Sequence, residues 1–168
     1  VHNAYMQNII IDKDTLLYDE FKFKCSTGKN GKASNKIEGD NKTPIGLYSI
    51  GPLYYRKDKF PNLITRLDKV EIRKNLGWCD DTKSEFYNKP IKTSQKIKHE
   101  KLHRRDRKYD LLIPINYNSV KPVKNKGSAI FLHLTSNYKK TQGCVAINKK
   151  DMLILLKLIN KKIKIRIN

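Results

Sequence analysis

The apolar residues of this chain come in short runs with a period of two, cut by turn residues, and that pattern points away from helical folds. In "KKIKIRI" the side chains of Ile163, Ile165 and Ile167 fall on one side and Lys162, Lys164 and Arg166 on the other, as in a half-buried strand. "NIIID" and "LLYDEFKFKCST" read as two strands around a turn at "DKD", and Asn30-Gly31 is a strong turn signal. Leu47–Ile50 alternates, and "LDKVEIRKN", "YDLLIPINYN", "SAIFLHL" and "GCVAI" read as further strands. Pro114 inside one of these predicts an edge strand or a bulge. One segment has a helical period: Met152, Leu155, Leu156 and Ile159 share a face, with Asn148 as N-cap and Asp151 at the third helical position. The expectation is a mainly β protein, a sandwich or partly closed barrel of about eight strands, with one helix towards the C-terminus.

From Leu76 to about Arg107 the period is lost. The segment is polar and long but holds Trp78, Tyr87 and Leu102, so it is expected to form a loop-rich, ordered lid or pocket wall. At 168 residues the chain suits a single domain, residues 1–168. No apolar run approaches the ~20 residues that span a membrane. The first residues lack a basic and then apolar leader, but the chain starts at Val1, so an upstream segment is expected to have been removed.

The formal net charge is +20. That charge favours anionic partners, yet 29 Lys stand against 7 Arg, alongside 19 Ile and 15 Asn. Lys, Ile and Asn share A/T-rich codons, and the lysines are spread along the chain. Genome composition accounts for most of the charge, and no nucleic-acid partner is expected. The cysteines Cys25, Cys79 and Cys144 include no CxxC pair and no zinc-finger spacing. A Cys25–Cys79 disulfide is open if the protein is exported. Cys79 adjoins Asp80 and Asp81, which oppose thiolate formation, so it is not the expected nucleophile.

The stretch "FLHLTSNYKKTQGCVAI" carries the chemistry. His133 shares a strand face with Phe131, and Cys144 opens the next strand after Gly143, eleven residues on. If the two strands are neighbours, imidazole and thiol approach hydrogen-bond reach, which a cysteine nucleophile and its base require. Gly143 would let a substrate carbonyl come close, and the N–H groups around Gly143 and Cys144 would cradle an oxyanion. The alternative is a buried core thiol beside a structural histidine.

This stretch resembles the signature of the L,D-transpeptidases of the YkuD type: a histidine, a spacer, then Ser/Thr-His-Gly-Cys. His133 takes the place of the base, Thr141 the Ser/Thr, Gly143 the glycine and Cys144 the nucleophile. "DNKTPIGLYSI" resembles the family's Thr-Pro-x-Gly segment through Thr43, Pro44 and Gly46. Gly77 to Asp81, Tyr87-Asn88, His99-Glu100, Tyr109 to Leu111 and "GSAIFLH" resemble a compact proteobacterial branch. The pattern departs from the family at Gln142, where a histidine is usual, at Ala146, where Arg or Asn is common, and in its shorter spacer.

The resemblance implies a YkuD-like fold and acyl transfer on peptidoglycan stem peptides, both donor and acceptor, through a thioester on Cys144. His133 is then the sole base of the motif, its orienting partner a backbone carbonyl. No metal or cofactor is implied, and a periplasmic monomer is expected. Substrate contacts are expected from Thr141, Gln142, Trp78, Tyr87, His99, Arg104 and Arg105, with Trp78 and Tyr87 equally suited to the core. L,D-carboxypeptidase or D-amino-acid exchange, or a non-catalytic basic module binding cell wall or nucleic acid, are the alternatives. A papain-like protease fits poorly, because there the cysteine precedes the histidine.

Overall fold

A computed structural model describes residues 7–168. The protein is mainly β, with several sheets, no closed barrel and, among the described residues, one helix. The first sheet runs β3(Phe21–Lys24)-β2(Thr15–Tyr18)-β1(Ile9–Asp12)-β15(Lys164–Ile167)-β6(Gly46–Ser49). The run after the first strand divides into β2 and β3 because the chain reverses at Asp19, which has a φ of 53°. The central sheet runs β14(Val145–Ile147)-β13(Phe131–Leu134)-β12(Leu111–Pro114)-β7(Leu53–Tyr55)-β8(Lys69–Glu71). Beside them lie a three-stranded sheet, β10(Pro90–Lys92)-β9(Leu76–Cys79)-β11(His99–Lys101), and a short pair, β4(Lys32–Ala33)-β5(Thr43–Pro44). The described strands outnumber the eight expected because several are only two or three residues long, too short to show a period.

The central sheet is covered on both faces, which explains its uninterrupted apolar runs. Leu111 and Ile113, Leu132 and Leu134, and Val145 and Ile147 point into the main core with the first sheet. Helix α1(Lys149–Leu158) adds Met152, Leu155 and Leu156 to the same core, and Ile159 follows at its C-cap. The Asn148 side chain accepts the Asp151 N–H at 2.8 Å, the expected cap. On the opposite face Tyr54, Leu112, Phe131 and Cys144 pack with Trp78, Leu102 and Tyr109. The segment from Leu76 to Arg107 thus lays a three-stranded sheet against the site face.

One expectation needs correction, and one open alternative is settled. β12 is an inner strand, between β13 and β7, and Pro114 is tolerated because it is the strand's last residue. Its carbonyl still accepts the Gly51 N–H at 2.9 Å. Cys25 and Cys79 are free, buried thiols, so no disulfide joins them.

Candidate active site

β13 and β14 are neighbours, but they run parallel, with Leu132 opposite Val145 and His133 opposite Ala146. A parallel pair needs a crossover rather than a hairpin, and residues 135–144 supply it. The consequence is geometric. Cys144, at the start of β14, falls beside the beginning of β13, and His133 lies towards its end, on the same face. The two groups are diagonal neighbours at the floor of one cleft, and both line it.

Each is held by backbone. The Cys144 thiol donates to the Ala129 carbonyl at 3.2 Å, and its sulfur accepts the Phe131 N–H at 3.3 Å. His133 Nδ1 lies 2.9 Å from the Leu134 carbonyl. That contact assigns the proton to Nδ1, so Nε2 is the free acceptor. The Leu134 carbonyl thus stands where the family resemblance expects a backbone group beside the histidine. Burial pushes the His133 imidazole down to about 4 and the Cys144 thiol up to about 12. The Phe131 N–H and the cations Lys36 and Arg104 oppose the second shift, and Glu100 adds to it. The resting pair is therefore neutral thiol and neutral imidazole, with no direct hydrogen bond between them.

Local chemistry explains the turn. The Thr141 hydroxyl donates to the Cys144 carbonyl at 2.6 Å and accepts the Gly143 N–H at 3.1 Å. Gly143 has φ +140°, and a Cβ there would lie 2.8 Å from the Lys42 carbonyl. Glycine is required here by the protein's own backbone, not by an approaching substrate. The Gly143 N–H expected to help bind an oxyanion is already used by Thr141.

The cleft, about 340 Å³, is walled by charge. Lys36, Arg104, Lys108, Lys139 and Lys140 line it, as do Glu38, Asp80 and Glu100. Thr141 and the exposed Gln142 line it too. Trp78 and Tyr87 are absent from its lining and belong to the packing behind it. Trp78 packs edge-on against Phe131 and Tyr54, and its Nε1 donates to Asn88 Oδ1 at 2.9 Å. The Tyr87 hydroxyl donates to Glu38 at 3.0 Å. His99 turns its Nδ1 to the Ile97 carbonyl, and Arg105 is exposed away from the cleft.

Sequence reasoning missed several residues that shape the site. Asn88 Oδ1 accepts both Trp78 Nε1 and the Ala129 N–H, fixing Ala129 at φ 54° with its carbonyl towards the thiol. Tyr109 sets its ring edge-on against His133, donates its hydroxyl to Glu100 and lies under the Arg104 guanidinium. Burial raises the Glu100 carboxyl, against the Tyr109 and Arg104 contacts. The segments of the family resemblance, Tyr87-Asn88, His99-Glu100, Tyr109 to Leu111 and "GSAIFLH", contain these residues, but nothing in them assigned the residues a role. Among the described residues, no group of three or more His, Cys, Asp or Glu could hold a metal ion.

Residues 5–167 match the YkuD family, the L,D-transpeptidase catalytic domain. The chain belongs to this family. No curated protein sequence matches it. Among solved structures, that of the helical cell shape determining protein Pgp2 from Campylobacter jejuni resembles it, with TM-score 0.52 and 16% identity. The likeness covers 95% of this chain and 46% of that one, so the chain spans about half the length of Pgp2 and the likeness is one of fold. No helix among the described residues is long and apolar enough to cross a membrane.

Proposed function

We propose that the chain is a cysteine-dependent L,D-transpeptidase, with Cys144 as nucleophile and His133 as base. The reading rests chiefly on one observation: thiol and imidazole share the floor of a charged cleft, and the imidazole keeps Nε2 free. Because both groups rest neutral, His133 takes the thiol proton as the sulfur attacks, rather than holding a preformed ion pair. The attacked carbonyl belongs to the L-centre of a diamino acid in a stem peptide. The Sγ–C bond forms, the C–N bond to the D-residue breaks, and His133 returns the proton to the leaving amine. An amine of a second stem then attacks the thioester: the new C–N bond forms, the Sγ–C bond breaks, and His133 carries the amine's proton to the departing sulfur, restoring Cys144.

Arg104 and the lysines of the rim suit the carboxylates of stem peptides. Thr141 keeps the Gly143-Cys144 turn in shape, and Gln142, which cannot titrate, contributes to the cleft wall only. A peptidoglycan substrate fits a periplasmic site of action, and the fold shared with Pgp2 fits a part in cell shape. Incubation with a purified disaccharide-tetrapeptide, followed by mass spectrometry, tests this. A cross-linked dimer supports transpeptidation. Tripeptide alone shows that water is the acceptor and makes the protein a carboxypeptidase. Wild-type turnover by Cys144→Ala would refute the nucleophile assignment.

A further inference from the structure

Resting on the reading of Cys144 as nucleophile, we propose that Lys36 is the cationic electrophile of this site, its ammonium stabilising the thiolate and the oxyanion formed at Cys144. Lys36 is 3% exposed, rare for a lysine, yet it lines the cleft. Its stem crosses Gly127, where a Cβ would lie 2.8 Å from Lys36 Cε. Its Nζ ends 3.6 Å from the Cβ position of Gly143, next to the nucleophile. Two glycines at positive φ, 115° and 140°, thus clear the path of one buried cation to the Cys144 turn.

The head is aimed by a single counter-ion. Asp40 Oδ1 accepts Lys36 Nζ at 2.7 Å and the Lys42 N–H at 2.9 Å, and Oδ2 accepts the Ile37 N–H at 2.9 Å. The loop from Lys36 to Lys42 is thereby tied, and it is the Lys42 carbonyl that presses on Gly143. The site needs such a charge. The Gly143 N–H is spent on Thr141, Gln142 cannot become cationic, and Ala146 carries no donor at the position where the family often has Arg or Asn. The other ionisable groups facing Cys144 are Glu100, Tyr109, Arg104 and His133. Glu100 opposes a thiolate, and Arg104 is shared with Glu100 and Asp106. Lys36 is committed to the Asp40 carboxylate alone.

The test is the rate of iodoacetamide alkylation at Cys144, read by peptide mass spectrometry at pH 8, alongside steady-state turnover of the disaccharide-tetrapeptide. Lys36→Met keeps the buried stem and removes the charge. Alkylation should slow by about tenfold, the thiolate fraction lost for each unit by which the thiol pKa rises. The kcat should fall by roughly 10²-fold, as for loss of an oxyanion donor, with KM changed much less. Asp40→Asn leaves the ammonium without its counter-charge and should speed alkylation several-fold, so it decides the matter even if Lys36→Met does not fold. A folded Lys36→Met with wild-type alkylation and kcat overturns the proposal, as does an Asp40→Asn variant whose alkylation is unchanged or slower. Failure of the nucleophile assignment is seen separately, in turnover by Cys144→Ala, because alkylation reads the charge on the thiol without requiring catalysis.

Discussion

His133 carries a stability cost that pH exposes. In the unfolded chain its imidazole titrates near 6.5; in the folded protein burial holds it near 4. Between these values the unfolded state binds a proton that the folded state excludes. Stability from this group is therefore complete above about pH 6.5 and is lost as pH falls towards 4. At pH 5 the linkage amounts to about 2 kcal/mol relative to pH 7, from the difference between the two titrations. His133→Gln removes it. The variant loses the imidazole's contact with the Leu134 carbonyl at every pH, so only the pH dependence is informative.

Urea unfolding of both proteins at pH 7 and pH 5 gives the quantity needed, provided each transition is two-state. Wild type should lose about 2 kcal/mol more than His133→Gln over that interval. Glu100, whose raised carboxyl works in the opposite direction, is present in both and cancels. Equal losses would show that His133 is not a buried neutral base. The same shift sets the activity profile: acylation should stay level at neutral pH and fall only near pH 4, where the imidazole charges.

Other perturbations separate the parts of the site. Gly143→Ala must hold an L-residue at φ +140° against the Lys42 carbonyl, so unfolding experiments should show a loss of roughly 1–3 kcal/mol and acylation should fail. Asn148→Ala removes the cap of the helix that follows β14 and should lower stability by about 1 kcal/mol in urea titration. In His133→Gln, acylation should drop by roughly 10²–10⁴. Gln142→Ala, at an exposed position without a side-chain hydrogen bond, should cost less than about tenfold in the same assay and leave stability within about 0.5 kcal/mol.

Much of this was legible because period and capping are local. The Ile163–Ile167 alternation, the helix face and the Asn148 cap need only neighbouring residues, and they hold in the structure. The fold class follows from them. The direction of β14 is not local. Eleven residues between His133 and Cys144 allow a hairpin or a crossover, and the choice is made by the partner strands and by Ser26, which bridges the outer edge of β14 at Ala146. Trp78 and Tyr87 were undecidable for the same reason: a large aromatic in an aperiodic segment walls a groove or fills a core according to what packs on it. Here Trp78 packs on Phe131, on the site face of β13, and Tyr87 is tied by its hydroxyl to Glu38 and the Gly127 N–H.

The parallel pairing also explains why the site's shell escaped the sequence. In a hairpin, the residues around Cys144 would come from its own turn. With a crossover, the start of β14 faces whatever precedes β13, so the sulfur meets Ala129 and the N–H of Phe131. Ala129 is held by Asn88, Asn88 by Trp78, and the far wall comes from the Lys36 loop and the Glu100–Tyr109 pair. These groups are spread from Lys36 to Ala129, and no spacing rule links them. What unites them is one short motif whose buried, neutral thiol they surround. If Cys144 is the nucleophile proposed above, a Gly-Cys pair grafted onto another parallel strand without that shell should keep the motif and lack the reactivity.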